Sequence, residues 1–216
     1  MQVSQQIITV RRRILIPIPY THTSLYTVIM QFSNPDENIR EFGLKDGQKV
    51  AIFGSGSGGH TLASARAMKG TGTIYGIDSR AHSLEKLSKE VADRHFLNVR
   101  IKGGNVERVG GTGITSNSTD AVLIPDTLFS ASSKTGVFKE AERILSFGGR
   151  LLVVDWIASF GGAGPQPEHV YTEEEAMKDA KTAGFIYDRR FSAGSYHYAL
   201  IFHKPRPDEV RKVKSP

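Results

Sequence analysis

The feature that most constrains this chain is a glycine cluster between an apolar run and a helix-like segment. The apolar run Lys49–Phe53 leads into the sequence Gly-Ser-Gly-Ser-Gly-Gly at 54–59, and residues 60–68 then have a helix-forming composition. Glycine tolerates positive φ and lets a ligand approach the backbone without a Cβ in the way. The helix that follows directs unpaired N–H groups and its positive dipole end at the turn. The pattern predicts a strand, a tight turn and a helix that together receive a ligand.

An acid closes the next apolar run. Asp78 follows the run 73–77 and lies 24 residues after Gly54. A carboxylate at this position can accept hydrogen bonds from both hydroxyls of a ribose. The glycines fit the patterns G-x-G-x-x-G and G-x-G-x-G equally well, and alone they are also typical of a flexible surface loop. The strand before them, the helix after them and the acid together predict a nucleotide- or nucleoside-binding βαβ unit.

Predicted strands and helices alternate along most of the chain. This alternation predicts an α/β protein with a mainly parallel sheet and helices on both faces. The last two strands are separated only by Ser192 to Ser195, so the sheet is expected to end in an antiparallel hairpin. The predicted strands are 49–53, 73–77, 98–102, 120–124, 150–156, 185–191 and 196–203, and the predicted helices are 35–42, 61–68, 81–94, 134–145 and 172–183.

Length and composition suit a single domain. The 216 residues predict one domain at 34–204, an N-terminal extension at 1–33 and a basic tail at 205–216. There is no run of about 18 apolar residues, so no membrane span is expected. Three arginines at 11–13 precede an apolar stretch that is too short and too proline-rich for a signal peptide. These features favour a cytoplasmic location.

The chain contains no cysteine, and this excludes several chemistries. Disulfides, thiolate metal sites, cysteine nucleophiles and the binding of a soft metalloid through thiols all require that residue. The seven histidines are scattered without metal-ligand spacing, so no metal centre is predicted. The net charge of +6 is concentrated at 11–13 and in the tail. Such patches can bind nucleic acid, but without interleaved aromatic residues a solvated terminus is the simpler interpretation.

Five segments resemble class I S-adenosylmethionine-dependent methyltransferases, over about residues 40–204. The glycine turn and the acid at 78 resemble the first two motifs of that family. Residues 119–125 resemble its fourth strand, and 143–155 its R-x-L-K-P-G-G segment and fifth strand. Residues 172–185, with Thr-Glu-Glu-Glu and Ala-Gly-Phe, resemble a helix of the ubiquinone/menaquinone-biosynthesis type of methyltransferase.

The resemblance implies a fold, a cofactor and a set of site residues. The fold is a Rossmann-like three-layer sandwich with a mainly parallel seven-stranded sheet ending in an antiparallel hairpin. The cofactor is S-adenosylmethionine. By this resemblance its methionine portion is lined by Gly54, Ser55, Gly56 and Gly58, its ribose is held by Asp78 with Ser79 beside it, its adenine lies near Asn105, and its methyl group lies near Ile124, Pro125 and Asp126.

One departure from the family pattern leaves three functional classes open. Ile52 stands where the first motif normally has an acid that organises the amino end of the cofactor. The first class is an active methyltransferase. The second is a nicotinamide oxidoreductase, which the terminal hairpin and the Ala-Gly-Phe helix disfavour. The third is a degenerate binding or scaffold protein that docks on RNA through its basic ends.

Methyl transfer from a sulfonium is an in-line displacement, so the protein needs a base only if the acceptor must lose a proton. Each candidate base also has a structural interpretation, as a helix cap, a loop ligand or a satisfied core histidine. A small-molecule acceptor is favoured over nucleic acid, the loop 160–167 is a candidate lid, and the oligomeric state is left open. The candidate bases are Asp126, Asp155 and His197, and the candidate walls of an aromatic acceptor pocket are Trp156, Tyr171, Tyr196, Tyr198 and His169.

Overall fold

The computed structural model describes residues 32–56, 58–162 and 164–209. The predictions for residues 1–31 and for 210–216 of the basic tail lie outside this part of the chain. Within it there are five α-helices and seven strands. These are α1 (Pro35–Phe42), β1 (Lys49–Phe53), α2 (Gly59–Ala67), β2 (Thr73–Asp78), α3 (Ala81–Asp93), β3 (Val99–Gly103), β4 (Thr119–Pro125), α4 (Lys134–Ile144), β5 (Leu145–Trp156), α5 (Glu173–Thr182), β6 (Ile186–Ser192) and β7 (His197–His203).

All seven strands form one sheet in the order β3-β2-β1-β4-β5-β7-β6. The first five strands pair in parallel, and β7 pairs antiparallel with both β5 and β6. The prediction of a mainly parallel seven-stranded sheet with an antiparallel hairpin at its end is therefore confirmed. The direction of winding reverses between β1 and β4, and open α/β sheets bind ligands at such a switch point.

The two faces of the sheet bury separate apolar clusters, which produces three layers. One face packs against α1 and α2, with Ile39, Phe42 and Met68 among its buried side chains, and Val91 of α3 also packs against this cluster. The other face packs against α4 and α5, with Phe138 and Ala180 among its buried side chains. Alternation along β7 places Ala199 and Ile201 on the first face, and Tyr198, Leu200 and Phe202 on the second.

Local signals explain where two of the helices begin. The side chain of Asn34 accepts a hydrogen bond from the N–H of Asp36 and so caps α1 at 3.0 Å. The predicted capping box on α5 is confirmed, because Thr172 and Glu175 hydrogen-bond each other's backbone N–H. No helix in the described part of the chain is both long and apolar enough to cross a membrane.

The start of β5 differs from the prediction. The strand was expected to begin at Arg150, but β5 already begins at Leu145. Gly148, at φ +76°, lies inside the strand, and the register with β4 shifts across this segment. The N–H of Gly148 donates to the carbonyl of Lys204 at 2.8 Å, and the N–H of Lys204 donates to the carbonyl of Gly149 at 2.9 Å. Pairing with the chain after β7 therefore keeps the irregular segment in the sheet.

Candidate functional site

The glycine turn after β1 is joined directly to the end of β2. The N–H of Gly56 donates to Oδ2 of Asp78 at 2.9 Å, and the N–H of Ser55 donates to the carbonyl of Ile77 at 2.9 Å. Gly54 and Gly56 adopt φ of +62° and +39°, which favour glycine. A Cβ on Gly54 would also collide with the hydroxyl of Thr127. The glycines therefore shape a turn whose backbone lies beside Asp78, the residue predicted to bind the ribose.

The carboxylate of Asp78 is buried, with 3% of its side chain exposed, yet both its oxygens are satisfied. Oδ1 accepts hydrogen bonds from the N–H and Nε of Arg80 at 2.9 and 3.0 Å, and Oδ2 accepts one from Arg80 Nη2 at 3.0 Å in addition to that from Gly56. Burial raises the pKa of Asp78, but the hydrogen bonds from Arg80 and Gly56 outweigh it, so the net pKa is lowered. Asp78 is therefore an ionised acceptor at neutral pH.

A cavity of about 270 Å³ opens beside this turn, at the carboxyl ends of β1 and β4. It lies at the point where the winding of the sheet reverses. Its walls combine backbone of the glycine turn, two aromatic rings and three ionisable side chains. The lining residues are Ile52, Gly54, Ser55, Gly56, Gly59, His60, Arg80, Pro125, Asp126, Phe129 and Trp156.

Asp126 and His197 meet at one end of this cavity. His197 Nε2 lies 3.1 Å from Asp126 Oδ1, and the imidazole packs on Trp156 with ring centroids 4.2 Å apart. Asp126 follows β4 with φ +46°, a conformation that non-glycine residues rarely adopt and that often marks functional positions. Within the described chain, Asp126 Oδ2 and the buried His197 Nδ1 have no hydrogen-bond partner. The pair therefore leaves a carboxylate oxygen available beside the cavity.

His60, at the start of α2, forms part of the same wall. Burial lowers its pKa to about 4, against the opposing effect of the Asp126 charge. Its Nε2 lies 3.1 Å from Nδ2 of Asn38 on α1. An amide nitrogen only donates, so this contact assigns the ring proton of His60 to Nδ1. The cavity is thus bordered by an uncharged imidazole at neutral pH.

Asp155, the third predicted base, does not line the cavity. It is fully buried at the end of β5, where it is paired with Tyr198 in the sheet register. Oδ2 accepts hydrogen bonds from the N–H groups of Leu128 and Phe129 at 2.9 and 3.2 Å, and Oδ1 accepts one from the N–H of Trp156 at 2.9 Å. Burial raises its pKa to about 7. Its contacts fix the short turn after β4 rather than reach a ligand.

Comparison with known proteins decides the family. A profile of the methyltransferase domain family matches residues 44–202, about three quarters of the chain. The chain belongs to the methyltransferase domain family. The family uses S-adenosylmethionine as its cofactor, and the arrangement of glycine turn, acid and cavity is compatible with that group.

Curated relatives of this methyltransferase domain are distant. It is 28% identical over 133 residues to an arsenite methyltransferase of Aquipseudomonas alcaligenes, covering 56% of this chain and 38% of that protein. It is 24% identical over 120 residues to a demethylmenaquinone methyltransferase of Geobacillus sp., covering 56% and 50%. It is 27% identical over 195 residues to a sterol 24-C-methyltransferase of Yarrowia lipolytica, covering 81% and 49%. The chain thus spans half or less of the length of these relatives.

Solved structures confirm the fold. A SAM-dependent methyltransferase from Aquifex aeolicus superposes with a TM-score of 0.73 at 23% identity, covering 80% of this chain and 90% of the other. A protein described as the (4+2)-cyclase SpnF superposes with a TM-score of 0.67 at 17% identity, covering 80% of each chain. Identities this low establish the fold alone, and the same fold carries more than one reaction.

Most of the predicted cofactor residues of this methyltransferase domain lie together. Gly58 caps the start of α2 directly after the turn. Ser79 and Asn105 are exposed and, like Asp78 and Gly58, lie outside the cavity lining. The carbonyl of Asp78 accepts a hydrogen bond from Gly104, next to Asn105, at 3.1 Å, so the predicted ribose and adenine ligands are neighbours. The roles assigned to these residues stay predictions.

The structure separates the aromatic residues predicted to surround an acceptor. Only Trp156 lines the cavity, where Gly164 of the candidate lid packs on its indole. Tyr171 and Tyr198 are buried on the opposite face of the sheet, where the hydroxyl of Tyr198 donates to the carbonyl of Tyr171 at 3.0 Å. Tyr196 precedes β7 and packs against Phe160 and Phe32. His169 lies at a separate opening beside α5.

Three cavity residues were missed in the sequence. Arg80 is two residues after Asp78 and was readable as a partner of that acid. His60 and Phe129 gave no such signal, because their importance depends on contacts between distant segments: Asn38 is 22 positions from His60.

Proposed function

We propose that this methyltransferase domain transfers a methyl group from S-adenosylmethionine to a small-molecule acceptor. The observation that carries the proposal is the hydrogen bond of 2.9 Å from the N–H of Gly56 in the glycine turn to the carboxylate of Asp78. It lies at the edge of a cavity where the strand order of the sheet reverses.

The residues around this hydrogen bond have the chemistry that the cofactor requires. Asp78 is an ionised acceptor suited to ribose hydroxyls, and the turn at Gly54 and Gly56 offers backbone without side chains to the methionine portion. Bound S-adenosylmethionine supplies an activated methyl group, so the protein's work is to align an acceptor and exclude water.

The walls of the cavity favour an acceptor that is partly apolar. Phe129 and Trp156 provide aromatic surface, and Asp126 with His197 provides a polar contact. Of the three predicted bases, Asp126 and His197 lie beside this cavity, and Asp155 does not. Aromatic walls with a carboxylate favour a small molecule over a polyanionic nucleic acid.

Among the acceptors named for the relatives, an apolar quinone- or sterol-like molecule agrees best with these walls. The resemblance of α5 to a helix of the ubiquinone/menaquinone type of methyltransferase also favours such an acceptor. Arsenite does not, because the 216 residues contain no cysteine and a thiophilic metalloid prefers thiolate ligands.

Calorimetric titration with S-adenosylmethionine and S-adenosylhomocysteine tests the proposal. We expect micromolar binding of both by the wild type, loss of binding in Asp78→Ala, and wild-type affinity in Asp93→Ala, a matched change at an exposed acid at the end of α3. Absence of binding by folded wild-type protein would contradict the proposal.

A second candidate is a non-catalytic binding or scaffold protein. Ile52 in place of the motif acid and the occupation of Asp78 by Arg80 favour it. If such a protein docks on RNA, its affinity must fall steeply with salt, because phosphate contacts release counterions. An affinity for S-adenosylhomocysteine that changes little with salt, together with no RNA binding, would exclude this version.

A further inference from the structure

The missing motif acid leaves the amino end of the predicted cofactor without its usual partner. Ile52 is fully buried in the cluster against α1 and α2 and reaches the cavity wall only with hydrocarbon. An ammonium group next to it would lose water and gain no hydrogen bond, which is costly. If the domain binds its cofactor, another group must meet this charge.

The orientation of the cofactor limits where that group can be. Asp78 and Arg80 mark the ribose end of the site. The methionine portion must therefore extend along the glycine turn into the cavity, whose lining includes Ile52, His60 and Asp126. Among the residues that line the cavity, Asp126 is the one carboxylate.

The state of Asp126 suits it for this contact. Its side chain is 42% exposed, His197 holds Oδ1, and Oδ2 has no partner within the described chain. A left-handed backbone at φ +46° is maintained there, and its N–H is fixed by a hydrogen bond to the carbonyl of Val154 at 2.8 Å. The carboxylate is thus oriented but retains a free oxygen.

Two neighbouring ionisable groups do not compete for this contact. His60 is uncharged at neutral pH and adds no cation beside it. Asp155 is committed to the backbone of the turn after β4. Within the described residues, an incoming ammonium can therefore meet Oδ2 of Asp126 without competition from His60 or Asp155.

We propose that Asp126 replaces the motif acid lost at Ile52 and binds the ammonium group of the cofactor's methionine portion. This inference rests on the proposed function and deepens it. The compensating charge comes from the end of β4 instead of the end of β1, strands that are neighbours in the sheet. His197 is then a positioning residue that holds the carboxylate.

The test compares two ligands that differ in the methionine portion of the cofactor. S-adenosylhomocysteine carries the ammonium, whereas 5′-methylthioadenosine retains the nucleoside and lacks the amino acid. In Asp126→Asn we expect the affinity for S-adenosylhomocysteine to fall roughly 10- to 100-fold, as for a lost charge-assisted hydrogen bond. The affinity for 5′-methylthioadenosine should stay within about twofold. Asp78→Ala should weaken both ligands.

The variants are chosen to fold. Asparagine and glycine both tolerate positive φ, so Asp126→Asn and Asp126→Gly keep the backbone at 126. Thermal melting at the wild-type temperature verifies this. Both variants should lose S-adenosylhomocysteine affinity, and adding Ile52→Asp to Asp126→Asn should recover part of it.

Two results would overturn the proposal, and they are distinguishable. Unchanged S-adenosylhomocysteine affinity in both variants would show that Asp126 does not bind the ammonium group and would leave the proposed function intact. Failure of wild-type protein to bind either ligand would remove the proposed function and this inference together.

Discussion

The guanidinium of Arg80 lies along the carboxylate of Asp78, with Nε 3.0 Å from Oδ1 and Nη2 3.0 Å from Oδ2. The side chain of Arg80 is 68% exposed, whereas that of Asp78 is 3% exposed. The predicted ribose ligand is therefore covered by a flexible cation from its own chain, and a ribose must displace or rearrange it.

Removal of this cation is expected to strengthen cofactor binding. An ion pair with one exposed member contributes about 1 kcal/mol at most, so Arg80→Gln should raise the affinity for S-adenosylhomocysteine by up to about fivefold. Calorimetry measures the change. Arg94→Gln, which removes an exposed arginine paired with Glu90 on α3, is the matched control. A weaker affinity in Arg80→Gln would show that this arginine contacts the ligand instead of competing with it.

The raised pKa of Asp155 stabilises the folded protein as the pH falls from 7, and the lowered pKa of His60 opposes this effect. The pKa of His60 is about 4 in the folded protein and near 6.5 in the unfolded chain, so the unfolded chain binds the proton more readily between these values. The contribution is complete above pH 6.5 and is lost as the pH falls to 4, a change of about 3 kcal/mol. The difference between wild type and His60→Gln in urea unfolding at pH 7, 5.5 and 4 measures it.

The control variants make this prediction specific. His60→Gln should lose less stability on acidification than the wild type, because glutamine has no proton to take up. His82→Gln, at an exposed position on α3, should retain the full wild-type slope. Parallel slopes in wild type and His60→Gln would show that His60 is not held neutral by burial.

Asp155 should prove to be a residue that positions the turn after β4. Asp155→Asn places an amide nitrogen or a weaker acceptor among three backbone N–H donors, so the free energy of unfolding should fall by about 2 kcal/mol. Denaturant unfolding measures the loss. Asp188→Asn, at an exposed position on β6, should leave stability unchanged. Full stability with lost turnover would restore the interpretation of Asp155 as a base.

The elements of this fold were predictable because local patterns specify them. The glycine turn, the strand-to-helix alternation and the Ser-Gly turn before β7 each act over a few residues, and all agree with the sheet in the structure. The predicted start of β5 was wrong by five residues. The strand begins earlier because Gly148 and Gly149 pair with Lys204, a contact between distant parts of the chain.

The site was predictable only where its residues follow strands. Asp78 and Asp126 end β2 and β4, and the carboxyl ends of parallel strands share one edge of the sheet. Nothing local indicated that His197 would meet Asp126 across 71 positions. The sheet face on which each tyrosine lies could not be predicted either. Tyr196 precedes β7, so the alternation that orients Tyr198 does not extend to Tyr196.

The position of β7 has a consequence for how the protein is made. This strand follows β6 in the chain, yet it is inserted between β5 and β6 and supplies His197. A nascent chain that has not reached residue 197 exposes the unpaired edge of β5, which is a template for association with other chains. The contact between Asp126 and His197 therefore forms only after β7 has been synthesised. Completion of the site is thereby coupled to closure of the most vulnerable edge.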